Sequence, residues 1–180
     1  MTLVSINEEV FYSRAPIVTV GQEDVAMIHK KAGETAGMRC RICTHRDPES
    51  SLHEMFIALS KGSYIHPHSH PGKAESVHII SGAVDIVFFD KQGEIVSVCR
   101  MGDYSTGSIF YYRIEEPVFH TLLIHSERLV FHETTNGPFR LEETQFAPWA
   151  PSPENIDAAS LYQQKLFERV EEYFIKKLPE

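Results

Sequence analysis

Apolar and polar residues alternate with a period of two through most of the middle of the chain. Ser51–Leu59, Glu75–Ile80, Val84–Phe89 and Ile95–Cys99 each do so, which is the spacing of strands with one face toward a core. Turn-forming residues separate the runs: Lys61-Gly62, Pro71-Gly72, Ser81-Gly82, and Asp90-Lys91-Gln92-Gly93 as a hairpin loop. Further runs at Ile109–Ile114, Phe119–Ile124 and Arg128–Glu133 follow. Short strands at this spacing, with no helix among them, predict an all-β sandwich or barrel over residues 38–140.

Different patterns flank that region. Val10-Phe11-Tyr12 reads as a short strand. Val25, Ile28 and Ala32 fall at three- and four-residue spacing and predict a helix from Gln22 to Ala32, closed by Gly33 and Gly37. Phe146-Ala147-Pro148-Trp149-Ala150-Pro151 excludes regular helix and central strand, because proline lacks the amide donor that both require. Ser152-Pro153-Glu154 then supplies a cap, an early proline and a first-turn acid. The helix it opens, about Pro153 to Lys177, lines up Tyr162, Leu166, Val170 and Phe174 on one face. That stripe is expected to pack on the barrel or on a second subunit. The expectation is one domain: residues 1–37 a strand and helix, 38–140 the barrel, and 141–180 a proline-rich segment and helix.

Composition narrows the class of partner. Seventeen basic against 25 acidic residues leave a net charge of −8, which argues against nucleic acid and anionic membrane partners. No run approaches the ~18 consecutive apolar residues of a membrane span, and the first residues lack the basic and apolar regions of a signal peptide. With three cysteines, a poor disulfide framework, the chain reads as cytoplasmic. Cys40 and Cys43 would face opposite sides of a strand, so they are not expected to form half of a zinc site.

Histidine stands out, with 10 in 180 residues and three of them in Tyr64-Ile65-His66-Pro67-His68-Ser69-His70. His68 and His70 are two apart and project to one face of an extended strand. Pro71-Gly72 turns the chain, and Glu75 opens the next strand, where it can face the same cavity. Two imidazoles and a carboxylate suit one borderline divalent ion: Zn, Fe, Mn, Ni or Co. His120 lies where the later strands return and is expected to be the fourth ligand. His66 shares the parity of His68 and His70; together with Tyr64 it is a candidate proton carrier in catalysis. Tyr111, Tyr112 and Arg113 are candidate pocket-lining groups. His78 has the wrong parity for a ligand, and His45, His53, His125 and His132 have no partner spacing. No serine–histidine–acid order, phosphate loop or dinucleotide fingerprint is visible.

The spacing Gly62, His68, His70, Glu75, Gly82 resembles the first motif of the cupin superfamily without a gap. The second motif is eroded: anchored on His120, its usual proline falls on Glu115 and its glycines on Ile109 and Pro117, with Gly107 two residues earlier. A narrower resemblance, over roughly Gln22 to Pro151, is to the WbuC-type cupins. It rests on Tyr64 to His70, His45, Asn136-Gly137-Pro138-Phe139 and Phe146 to Pro151. The resemblance implies a cupin barrel (a double-stranded β-helix or jelly roll) with one N-terminal and one C-terminal helix. It also implies a metal ion, a small-molecule ligand, a loose link to surface-polysaccharide biosynthesis, and a homodimer, since cupins commonly dimerise. The function expected first is a metal-dependent isomerase or epimerase of a small polar molecule such as a sugar. An iron-dependent dioxygenase is the second, and a non-catalytic sensor or binding module the third.

Overall fold

The structure, a computed structural model, describes residues 2–177. Its strands are β1 (Leu3–Ser5), β2 (Val10–Ser13), β3 (Arg39–Cys43), β4 (Leu52–Ser60), β5 (His68–Ser69), β6 (Glu75–Ser81), β7 (Ala83–Phe89), β8 (Ile95–Gly102), β9 (Tyr111–Ile114), β10 (Phe119–Ile124), β11 (Arg128–Asn136) and β12 (Gln145–Phe146). Two helices flank them, α1 (Gln22–Ala32) and α2 (Ile156–Lys176). The strands form a seven-stranded sheet, β1-β2-β3-β4-β11-β6-β9, and a five-stranded sheet, β12-β5-β10-β7-β8. Every pairing is antiparallel except β2 with β3. No described helix is long and apolar enough to cross a membrane.

Both sheets are covered on both faces. Between them, Leu59, Val77, Ile79, Val84, Ile86, Leu122, Ile124, Leu129 and Phe131 form the central core. On the outer face of the larger sheet α1 packs Ile28 and Ala32 against Phe11, Cys40, Ile42, Ala58 and Val130. On the outer face of the smaller sheet α2 packs Leu166 and Val170 against Val87, Phe89 and Leu123. Neighbouring residues therefore serve different cores: Ile86 points between the sheets and Val87 under α2. The polar–apolar alternation expected over Val84–Phe89 is therefore not found: with both faces buried, β7 is a nearly continuous apolar run broken only by Asp85.

The expected span of the sheets was too narrow. β1 and β2 add two strands to one edge before residue 38, and β12 adds an edge strand after residue 140. β2 is the short strand expected at Val10-Phe11-Tyr12, while β1 and β12 are created by tertiary pairing and are too brief for periodicity to register. β12 stays compatible with the prolines that follow because it lies at an edge. The C-terminal helix also starts later than its sequence suggests. Asn155, not Ser152, is the cap, its Oδ1 accepting from the Ala158 amide at 3.2 Å.

One charged cluster fastens α2 to the sheet. Asp85 is fully buried and accepts from Arg100 Nε and Nη2 at 3.0 and 2.9 Å and from His125 Nε2 at 2.8 Å. Arg100 also reaches Glu171 of α2 at 2.5 Å and lies over the Phe174 ring. Burial alone would raise the Asp85 pKa, but the hydrogen bonds and charges of His125 and Arg100 outweigh it and hold the carboxyl below its ordinary value. A depressed folded-state pKa contributes stability above the unfolded value, and this is lost as pH falls through the folded one. Arg100→Met should therefore destabilise the protein at neutral pH by about 2 kcal/mol, a buried-pair loss reduced by the half-exposure of Arg100. The difference from wild type should shrink below the ordinary aspartate range. Urea unfolding at several pH values measures both; an Arg100→Met penalty that grows on acidification contradicts this account.

Candidate metal centre

Strand register brings the candidate histidines together. β5 lies against β10 with His68 opposite His120, and His120 in turn lies opposite Phe88 of β7. β10 alternates, so His120, Leu122 and Ile124 face inward while Leu123 lies under α2. Across the interior, Glu75 begins β6, paired with Ile114 of β9 and Thr135 of β11. The interior is thus graded. Leu59, Ile79, Val84, Ile124 and Leu129 fill one end, while His68, His70, His120 and Glu75 occupy the other.

The ligating nitrogens of His68, His70 and His120 all lie within 4.8 Å of one another. Glu75, 5% exposed, stands against them: Oε2 is 3.5 Å from His70 Nε2 and Oε1 is 3.5 Å from His120 Nε2. The outer nitrogens are engaged elsewhere. His68 Nδ1 donates to the His66 carbonyl at 2.8 Å and His120 Nδ1 to the Val118 carbonyl at 3.1 Å. A carbonyl only accepts, so each Nδ1 carries the proton and each neutral ring keeps its Nε2 lone pair free. His70 Nδ1 faces Thr144 Oγ1 at 3.5 Å. Tyr112 OH donates to Glu75 Oε1 at 2.9 Å, which fixes the carboxylate and leaves it an acceptor.

The donor set fits a divalent cation of the zinc or iron type. Four donors ~2.1 Å from one tetrahedral centre stand about 3.4 Å apart, close to the 3.5 Å between Glu75 and the two imidazoles. The electrostatics agree with the chemistry of the set. Burial, then the charges of His120 and His70, push His68 down to about 3, so it is neutral at physiological pH. Burial opposes ionisation of both Glu75 and His120, yet their mutual attraction prevails, lowering the acid and raising the base.

The other candidates occupy different places. His66 Nε2 donates to the Ala147 carbonyl at 3.1 Å, and its ring stacks on Phe146 with centroids 5.1 Å apart. Tyr64 OH donates to the Pro151 carbonyl at 2.9 Å. Both are tied to the proline-rich segment and lie outside the histidine cluster. Of the three candidate lining residues only Tyr112 is buried; Tyr111 is exposed, and Arg113 is exposed and paired with Glu115. His78 is exposed on the far face of β6, and Cys40 packs under α1 on the face of β3 opposite Cys43.

Sequence reasoning passed over Glu133, which shares the parity of Leu129 and Phe131 and so faces the interior. Burial, then the Glu75 charge, push its carboxyl up to about 8, against the opposing pull of Arg41 and His120. An acidic residue at an inward position of an otherwise apolar run was the available signal.

Comparison with known proteins comes from three directions. A family model described as a domain of unknown function, DUF6016, matches residues 20–101, a stretch containing His68, His70 and Glu75 but not His120. No curated protein matches the chain. Among solved structures, a variant of salicylate 1,2-dioxygenase from Pseudoaminobacter salicylatoxidans in complex with gentisate superposes with a TM-score of 0.52 at 13% identity, covering 72% of this chain and 37% of that one. A protein from Shewanella oneidensis gives 0.46 at 13% identity, covering 57% of this chain and 66% of that one. Oxalate oxidase in complex with the substrate analogue glycolate gives 0.44 at 12% identity, covering 64% and 63%. This chain spans less than two thirds of each of them. The likeness to the dioxygenase variant, together with the two facing sheets, shows the fold: a cupin-type jelly roll with a helix on each side.

The tautomers are directly testable. In the protein stripped of metal at alkaline pH, long-range proton–nitrogen correlation spectra should show His68 and His120 protonated at Nδ1. His66 should be protonated at Nε2. Finding Nε2–H on His68 or His120 contradicts the orientation described.

Proposed function

We propose that the chain is a metal-dependent enzyme that acts on a small polar molecule bound beside an ion held by His68, His70, His120 and Glu75. The observation that carries this reading is the convergence of imidazole nitrogens and one oriented carboxylate in a largely buried cluster. Replacing His68 and His70 together by alanine should abolish stoichiometric metal, measured by elemental analysis, while circular dichroism reports an intact barrel. His66→Ala should keep the metal, because its ring is bonded to the proline-rich segment. A double variant that retains one tightly bound equivalent contradicts the assignment.

An ion at this position supplies a Lewis acid that polarises a carbonyl or hydroxyl oxygen of the substrate. The protein's own residues do the rest. Tyr112 holds Glu75 in place, and the apolar end of the barrel shuts water out from below. Isomerisation or epimerisation also needs a group that moves a proton. His66 and Tyr64 are engaged with backbone carbonyls, so that role falls to Glu133, whose raised pKa lets it exchange a proton near neutral pH. The WbuC-type resemblance supports a sugar or sugar derivative as substrate.

The second reading, an iron-dependent dioxygenase, draws support from the donor set of three imidazoles and one carboxylate and from the absence of His66 and Tyr64 from the cluster. Two measurements separate the readings. Glu133→Gln should lower isomerase or epimerase turnover on sugar substrates by about 100-fold or more, the usual worth of a general acid–base group. An iron-loaded protein that consumes oxygen with a small organic substrate, and is indifferent to Glu133→Gln, supports the dioxygenase instead. Tight ligand binding without turnover by any metal form sinks both and leaves a binding module.

A further inference from the structure

A second set of polar side chains faces the barrel interior without partners. β3 alternates, with Cys40 and Ile42 packed under α1, so Arg41 and Cys43 face the other way, and His45 follows at the same parity. The Arg41 side chain makes no hydrogen bond or ion pair among the described residues, and its Nε is buried without an acceptor. The other arginines behave differently. Arg39, Arg100, Arg113, Arg140 and Arg169 each meet a carboxylate, and Arg14, Arg46 and Arg128 are exposed. Arg41 is thus the one arginine among the described residues that is neither exposed nor paired. Glu133 lies near enough to feel its charge but forms no ion pair with it.

His45 adds a second unmatched donor. It is 9% exposed and its Nε2 is buried with no partner. Its Nδ1 lies 3.1 Å from both the amide and the carbonyl of Glu54. That carbonyl already accepts from the Thr44 amide at 2.9 Å and the Thr44 hydroxyl at 3.0 Å. Nδ1 therefore accepts from the Glu54 amide, and the ring proton sits on Nε2. Stacking on His53, with centroids 4.0 Å apart, and an edge contact with Tyr12 hold the ring in this orientation. Arg41 and His45 share one side of the same extended segment, and His45 stacks on His53, whose strand partner Thr135 in turn lies opposite Glu75.

We propose that Arg41 and His45 form an anchoring subsite, in the wall built by β2, β3 and β4, for the carboxylate of a small organic acid whose other end reaches the histidine cluster. A buried donor left unmatched costs on the order of 1–3 kcal/mol, and more when it is charged, so a ligand that satisfies both recovers that energy on binding. One guanidinium and one neutral imidazole offer a single positive charge, which matches a carboxylate rather than a dianionic phosphate. A guanidinium also presents the planar fork that carboxylates accept. Only the second half of the proposal, contact with the cluster, rests on reading that cluster as a metal centre. A divalent ion with one carboxylate ligand would keep a net positive charge and favour the same anionic substrate.

The test titrates benzoate, its neutral counterpart benzamide and inorganic phosphate into the metal-loaded protein and into the chelator-stripped protein, followed by calorimetry and nuclear magnetic resonance. Benzoate should bind both forms, with benzamide and phosphate at least about 10-fold weaker, the worth of one charge-assisted contact. Arg41→Gln should erase the preference for benzoate and leave the thermal midpoint unchanged or raised, because it removes an unpaired charge. His45→Phe keeps the stack on His53 and should weaken benzoate by a smaller factor. Benzoate binding that disappears with the metal but survives in Arg41→Gln would mean simple metal ligation and overturn the proposal. So would equal binding of benzamide, tighter binding of phosphate, no binding at all, or an Arg41→Gln variant that loses stability while binding benzoate normally. A protein that holds no metal yet still prefers benzoate would sink the metal reading and leave this subsite standing.

Discussion

The register between β5 and β10 is the constraint on which the site depends. It places His68 directly opposite His120, and a slip of one residue would turn His68 away from the interior. β5 has only two residues and cannot hold a register by itself. The surrounding chain holds it. The Thr121 hydroxyl donates to the Ile65 carbonyl at 2.5 Å, the Ala147 amide to the Pro67 carbonyl at 2.8 Å, and β12 pairs along its other side. His66 and Tyr64 complete this clasp from the β5 side, and Gln163 of α2 reaches the Ser63 carbonyl at 3.0 Å. Trp149 locks the segment further, packed on Phe89 and so close to Gly93 that a Cβ there would meet the indole at 2.8 Å. The proline-rich segment, the most irregular part of the sequence, is what fixes the most ordered part of the site.

Much of this could be read from the chain. The parity of His68 and His70 and the re-entry of Glu75 after a turn needed only the geometry of strands. His120 joined them despite the eroded motif around it, because its inward direction is set by the alternation of Leu122 and Ile124 rather than by the missing glycine and proline. Other parts were not legible. The place of His66 depends on a carbonyl 81 residues away, and that of Tyr64 on one 87 residues away; no local pattern encodes such contacts. Arg41 and His45 face the interior through pairings that only the sheet order reveals. The helix cap moved from Ser152 to Asn155 because a turn in which the Asn155 amide donates to the Ser152 carbonyl precedes the first helical residue.

The interior can be understood as a gradient of charge built on that frame. Apolar side chains close one end, the histidine cluster and Glu75 sit above them, and unpaired Arg41 and His45 stand on the adjoining wall. Such an arrangement is costly in the free protein and becomes favourable when a cation occupies the cluster and a ligand meets the remaining donors. The fold alone would not require it, since the barrel's stability comes from the three apolar cores.

X-ray absorption at the edge of whichever metal co-purifies with the protein tests the central claim most directly. The account predicts multiple scattering from three imidazoles, contributed by His68, His70 and His120, with light-atom neighbours that include the Glu75 oxygen. A first shell containing sulfur, or one made of oxygen with no imidazole signature, would contradict it.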